Sequence, residues 1–167
     1  MVSQPSPLVL PFTTLGEQHR ALAGSKALTL AQLQRAGLPV PPGFCVLAAV
    51  HRRYLELENR LDLAREALEA PSRRDRQRAL ARLREALQHG VPPQGLEAAL
   101  REGLATLGPG PWAVRSSATA EDLPEHSFAG QHESYLDVED LPGCLAAVQR
   151  CWASLWSERA VPERELE

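Results

Sequence analysis

Between residues 48 and 107 the apolar side chains fall at helical spacing, and this run of about sixty residues constrains the fold more than any other feature. Leu57, Leu61, Ala64 and Leu68 form one series. Leu80, Leu83 and Leu87 form a second, and Leu96, Leu100, Leu104 and Leu107 a third. Apolar residues recurring at three- and four-residue intervals mark the buried face of an α-helix. Pro71-Ser72 and Pro92-Pro93 interrupt the pattern, so the spacing predicts roughly three helices, with Ser72 as an N-cap. Nothing in the run points to chemistry. Its arginine cluster RRDRQRALARLRE (73–85) raises nucleic acid as a partner, but Asp75 and Glu85 interrupt it and no aromatic residue interleaves. The apolar positions keep helical phase, which predicts a solvated helix face. The whole chain carries 18 Lys and Arg against 21 Asp and Glu, a net charge of −3, so it has no overall attraction for a polyanion.

The flanks of this run mix helix and strand. Residues 1–15 form an extended lead-in punctuated by Pro5, Pro7 and Pro11. In GSKALTLAQLQRAGLPVPPGFCVL, Ala27, Leu30, Leu33 and Leu38 predict a short amphipathic helix, which Gly37 and Pro39 stop. GFCVL (43–47) reads as a short buried strand. Beyond the turn GPGP (108–111), WAVRSS and QHESYLDV (131–138) read as two strands that can pair antiparallel. Leu145, Val148, Trp152 and Leu155 then trace one face of a last helix, entered at Pro142. The class is therefore α+β, in one domain or a fragment of a larger one. The final SERAVPERELE has no stop signal and reads as a cut rather than an end.

At 44% hydrophobic and 23% charged, the composition is that of a soluble globular protein. Cys45, Cys144 and Cys151 include no CxxC pair. Cys144 and Cys151 lie seven apart, on one face of a helix, and all three read as buried thiols in a reducing compartment rather than disulfide or metal ligands. No apolar run approaches the roughly 18 residues of a membrane span, and MVSQPSPLVLPF lacks a basic n-region, so the expected location is cytoplasmic.

Three places can carry chemistry. Arg115 sits in VRSSATAED, where a strand gives way to hydroxyls and an acidic turn; a guanidinium in a buried strand needs a carboxylate, carbonyls or an anion. Two readings stand side by side: an internal salt bridge to Glu121 or Asp122, or a phosphate, which suits a planar fork of donors. Lys26 follows Gly24-Ser25 at a helix start, where free N–H groups and the positive helix end attract anions. It is not a Walker A lysine, because Ala27 follows it, and a plain surface lysine is the alternative. SFAGQ (127–131) is either a turn or a close approach of backbone to ligand at Gly130, with Ser127 and Ser134 adding hydroxyls. The five histidines form no HExxH, His126 and His132 have no local mark of a base, and no GxSxG elbow supports a hydrolase.

GSKALTLAQLQRAGLPVPPGFCV resembles the opening signature of the phosphoenolpyruvate synthase and pyruvate phosphate dikinase family, usually Gly-Gly-Lys-Gly-x-x-Leu followed by Gly-x-Pro-Val-Pro-x-Gly-Phe. AVRSSATAEDLPEHSFAGQHESYLDV resembles the family's second signature nearly throughout, and CWASLWSERAV resembles the helix after it. Rifampicin phosphotransferases share the module. The likeness covers both ends of the chain and skips residues 50–107. It implies the N-terminal lobe of an ATP-grasp nucleotide-binding domain, a small β-sheet with a helical insertion at about 48–107. Lys26 and Arg115 would hold ATP phosphates, with Gly130 and Ser134 near the nucleotide. No catalytic or metal residue is assigned to this stretch. The second lobe, expected to bring the Mg²⁺ ligands, the phosphohistidine domain and the acceptor domain would lie outside it.

Phosphate would pass from ATP through a histidine to an acceptor, pyruvate giving phosphoenolpyruvate. An antibiotic hydroxyl, or a stand-alone non-catalytic nucleotide-binding module, is the alternative. Partners are ATP and the remaining domains, with no nucleic acid and no membrane, and the chain by itself is expected to be inactive. The sequence departs from the signature at Ser25, where a second glycine is usual, at Leu28, and at Ser134, which keeps the hydroxyl of a frequent threonine.

Overall fold

The structure, a computed structural model, describes residues 7–117 and 133–157. It is α+β, with two antiparallel two-stranded sheets and six helices among the described residues. The first sheet pairs β1 (Val9–Pro11) with β2 (Phe44–Val46) in the register Leu10 to Cys45. The strand in the lead-in is one that the prolines concealed. Pro11 is tolerated because β1 is an edge strand. Between these strands runs α1 (Arg20–Arg35), which bends out of helical geometry at Gly24 (φ 76°, ψ 165°) and then resumes. It ends as expected at Gly37 (φ 77°): the Gly37 N–H donates to Gln34 O and the Leu38 N–H to Leu33 O, a Schellman cap. The buried face of α1 is Ala23, Ala27, Leu28 and Ala31 rather than the predicted leucine row, and Leu33 and Leu38 are exposed.

The central run holds four helices instead of three: α2 (Ala48–Glu56), α3 (Arg60–Leu68), α4 (Arg73–His89) and α5 (Leu96–Leu107). The extra break lies at Leu57–Glu58, where Glu58 takes a left-handed φ of 56°. This shifts the register of α3. Leu57, Leu61 and Leu68 are exposed, and Arg60, Leu63, Ala64 and Ala67 face inward. Ser72 caps α4 as predicted, its Oγ accepting from the Asp75 N–H at 3.2 Å, and the second and third leucine series are buried except at half-buried Leu107.

Strands β3 (Trp112–Arg115) and β4 (Ser134–Val138) pair antiparallel, as the sequence suggests. Two β4 residues, Leu136 and Asp137, oppose the single Ala113, a bulge in which Asp137 adopts φ 56°. Helix α6 (Leu141–Ser154) starts at Asp140, whose side chain accepts from the Gly143 N–H at 2.7 Å, and packs on β3, β4, α4 and α5.

The apolar interior forms two main bodies. One gathers α2 to α6 with the second sheet, around Tyr54, Leu83, Leu87, Leu96, Leu100 and Trp152. The other gathers α1 and the first sheet around Leu15, Leu28 and Leu47. No helix among the described residues is long and apolar enough to cross a membrane.

Candidate nucleotide-binding cleft

A cleft of about 860 Å³ lies where these two bodies meet, within the range of roughly 300–1,000 Å³ usual for small-molecule sites. Its floor is apolar and includes Phe44, Leu104, Trp112, Val148 and Trp152, while Lys26 and Arg115 to Ser117 form its polar rim. Lys26 comes from α1 and residues 115–117 from the end of β3, so cation-bearing elements ninety residues apart meet on one edge.

The meeting is built from short bonds. Lys26 Nζ donates to Ser116 O at 3.0 Å, and the backbone N–H of the next residue, Ala27, donates to Ser117 Oγ at 3.2 Å. Lys26 lies in the first turn of the helical stretch that resumes after Gly24, as the sequence predicts. A new helix start leaves N–H groups without intrahelical acceptors, and Ser117, two residues past the end of β3, satisfies one. The Ser116 Oγ, on a residue only 7% exposed, has no hydrogen-bond partner among the described residues.

Arg115 departs from the premise of a buried guanidinium. Strand β3 alternates, and Arg115 falls on its exposed side. Its Nε donates to Ser134 Oγ at 3.2 Å across the register pair Arg115–Ser134. That bond uses Nε alone and leaves the terminal fork of the guanidinium uncommitted to Ser134. Ser134 does not itself line the cleft and meets it through Arg115. Gly130, Ser127, His126, His132 and the carboxylates Glu121 and Asp122 lie outside the described residues.

The cleft also holds the three cysteines, buried free thiols as the sequence predicts, and one histidine that the sequence reading passed over. Burial pushes Cys45 up to about 12 and Cys144 up to about 11. Burial also lifts Cys151 to about 12; the Glu133 charge adds to this, and the Lys26 charge opposes it. These thiols stay protonated and unreactive at neutral pH. His51 stacks on Trp152 with ring centroids 5.6 Å apart, and burial lowers its pKa to about 4, so its ring is neutral. Only its position between Val50 and Tyr54 on an apolar helix face could have signalled it.

Behind the cleft, Arg60 is fully buried: its Nη1 donates to Tyr54 O and Leu57 O, its Nε donates to Ala86 O, and its guanidinium lies 4.1 Å from the Tyr54 ring centroid. Its Nη2 lies 2.8 Å from Glu58 Oε2, an ion-pair contact without hydrogen-bond geometry. Tyr54 OH receives a bond from Gln149 Nε2 at 2.8 Å, which ties this knot to α6.

Comparison with known proteins gives the family of the chain. Residues 20–167 match the family described as pyruvate phosphate dikinase, AMP/ATP-binding domain. The chain is 41% identical over 161 residues to a rifampicin phosphotransferase of Streptomyces sviceus, covering 93% of this chain and 18% of that protein. It is 36% identical to a probable phosphoenolpyruvate synthase of Methanothermobacter thermautotrophicus, covering 92% and 24%. To a phosphoenolpyruvate synthase of Aquifex aeolicus it is 35% identical, covering 98% and 21%. The chain thus spans between 18% and 24% of the length of these relatives. With the family match reaching from the start of α1 past the end of α6, this chain belongs to the pyruvate phosphate dikinase AMP/ATP-binding domain family.

Proposed function

We propose that this chain is the N-terminal ATP-grasp lobe of a dikinase-type phosphotransferase, holding the triphosphate of ATP while phosphate passes to a histidine elsewhere in the protein and then to an acceptor. The observation that carries this reading is the convergence of Lys26 and Arg115 on one cleft rim, joined through Ser116 and Ser117. Lysine supplies a mobile point charge and arginine a two-pronged donor face, a pair suited to different oxygens of one polyphosphate. Phosphoryl transfer asks a protein mainly for positioning and charge stabilisation, and this lobe offers both without a nucleophile of its own. By the family resemblance Gly130 and Ser134 belong to the same set, Ser134 by holding Arg115.

We take the acceptor to be pyruvate, giving phosphoenolpyruvate, by analogy with the two synthases. The relative named rifampicin phosphotransferase supports an antibiotic hydroxyl as the second reading. Magnesium accompanies ATP in such chemistry, but the described residues do not fit as its site: no three of their His, Cys, Asp or Glu side chains are grouped to hold a metal ion.

The test is single-turnover transfer of labelled phosphate from ATP onto a protein that contains this lobe together with the domains its relatives carry. Lys26→Ala and Arg115→Ala should each slow transfer by on the order of 100-fold or more, as loss of a charge-stabilising donor does. Near-normal transfer in both variants would refute the phosphate-site assignment.

A further inference from the structure

Ser117 is not in the phosphate-binding set, yet it makes the bond that spans the cleft rim. Gly24 breaks α1, so the helix must start again just before Lys26, where the first N–H groups have no intrahelical acceptor. A new helix start is ordinarily capped by a side chain just before it. Here the acceptor comes from 90 residues away: Ser117 Oγ takes the Ala27 N–H at 3.2 Å. The adjacent Lys26 Nζ reaches Ser116 O at 3.0 Å. Consecutive residues of one strand end therefore hold consecutive residues of one helix start. Arg115 is next in line on that strand, held in turn by Ser134.

We infer that Ser117 is a positioning residue which fixes the spacing of the two cations by capping the Lys26 helix start from the Arg115 strand. The inference rests on the phosphate reading of Lys26 and Arg115. A lysine has four rotatable side-chain bonds, and its ammonium can meet a phosphate reproducibly only if its backbone is anchored. With the Ala27 N–H bound to Ser117, the helix start and the strand move as one unit. Without that bond, Lys26 keeps its charge but loses the fixed distance to the Arg115 fork. The hydroxyl itself need not touch the ligand; it acts through the backbone beneath Lys26.

The experiment uses the 167-residue chain, inorganic tripolyphosphate and ATP as probes, and amide chemical shifts as the readout. A lobe alone should bind on the order of millimolar, because few charge-assisted contacts must offset the cost of association. Two variants of nearly equal size separate the hydroxyl from packing: Ser117→Thr keeps the acceptor and Ser117→Val removes it.

Ser117→Val should raise the Kd about three- to tenfold, the change expected for one neutral hydrogen bond, with Ser117→Thr within about twofold of the parent. Ala27 amide exchange should accelerate in Ser117→Val alone, with a fall in melting midpoint of no more than the few degrees that one lost hydrogen bond brings. In a Lys26→Ala background, Ser117→Val should have no further effect on Kd, since the residue through which it acts is gone. If Lys26→Ala weakens binding but Ser117→Val does not, the positioning role falls and the phosphate reading survives. If neither Lys26→Ala nor Arg115→Ala alters binding, the phosphate reading falls and takes this inference with it. Should Ser117→Val lower the melting midpoint beyond those few degrees and Ser117→Thr bind as poorly as Val, Ser117 is a packing residue and the inference is overturned.

Discussion

Arg60 and Arg115 are the same side chain in two regions of one lobe, and their surroundings differ in every respect. Arg60 is fully buried, with three backbone carbonyls, the Tyr54 ring and the Glu58 carboxylate around its guanidinium. Arg115 lies on the exposed edge of a four-residue strand, and Ser134 engages only its Nε. The first region is a leucine-packed body in which Leu83, Leu87, Leu96 and Leu100 have no solvent exposure. The second is a rim of short strands and small hydroxyl residues laid against that body. A buried guanidinium survives only where its donors are met, so Arg60 is committed to the fold. Among the described residues the terminal fork of Arg115 meets no side chain, which is the arrangement a ligand-binding guanidinium needs.

The largest effect that sharpens this contrast is the split between activity and stability. Arg115→Ala, already expected to lose about 100-fold or more in transfer, should change unfolding free energy by no more than about 0.5 kcal/mol, as exposed substitutions do. Arg115→Lys should restore little transfer, because an ammonium cannot reproduce a two-pronged contact. Denaturant melts run beside the transfer assay measure both. A stability loss in Arg115→Ala as large as its activity loss would erase the distinction between the two arginines.

Gly90→Ala probes the opposite corner. Gly90 has an ordinary φ of −74°, so conformation does not demand glycine there. Space does: an added Cβ would lie 1.8 Å from Arg60 Nη2 and 2.5 Å from Ala86 O. The buried guanidinium would have to leave its carbonyls, and the expected cost is about 3 kcal/mol or more, read as a shift in the urea midpoint. Leu61→Ala on the exposed side of α3 serves as the control. A midpoint within error of the parent would mean that the Arg60 knot is loose.

Much of this contrast can be read in the residues, but unevenly. Leu80, Leu83, Leu87, Leu96, Leu100 and Leu104 announce their burial because a long helix repeats the signal every turn. The α3 face does not, since Leu57 and Leu61 continue the spacing across a break that only the backbone of Glu58 makes. An arginine at position 60 reads as solvent-facing on composition alone; that carbonyls of α2 and α4 surround it is a tertiary fact. In the site, Gly24-Ser25-Lys26 and the Arg115 strand can be singled out locally, and their resemblance to family signatures joins them. The hydrogen bonds of Ser116 and Ser117 across 90 residues have no periodic trace. Strand β1 is hidden for a similar reason, because three residues with a proline carry too little pattern to count.

A third prediction uses pH to test the inner wall of the cleft. Burial lowers the His51 pKa from 6.5 to about 4 in the folded chain. Between those values the unfolded chain binds the proton and the folded chain does not, so stability rises with pH across this window. The contribution is fully present above about 6.5, is lost as pH falls towards 4, and amounts to about 2–3 kcal/mol. His51→Phe, which keeps a ring against Trp152, should flatten the dependence, with Trp fluorescence following unfolding. An unchanged slope in His51→Phe would place the acid sensitivity elsewhere.

The smallest expected effect carries the most informative sign. Arg74 is exposed in the first turn of α4, two residues after the Ser72 cap. A positive side chain there opposes the helix dipole, whose N-terminal end favours acids. If the arginine cluster is a solvated face, Arg74→Glu should leave phosphoryl transfer and retention on a polyanion matrix unchanged. It should raise unfolding free energy by about 0.3–0.5 kcal/mol at low salt, with the gain shrinking as salt screens the charge. Paired urea melts at low and high ionic strength can resolve that difference, and Gln at the same position supplies the neutral midpoint. A loss of transfer or of polyanion retention would move ligand binding into the helical body, and the division between a packed region and a chemical rim would no longer hold.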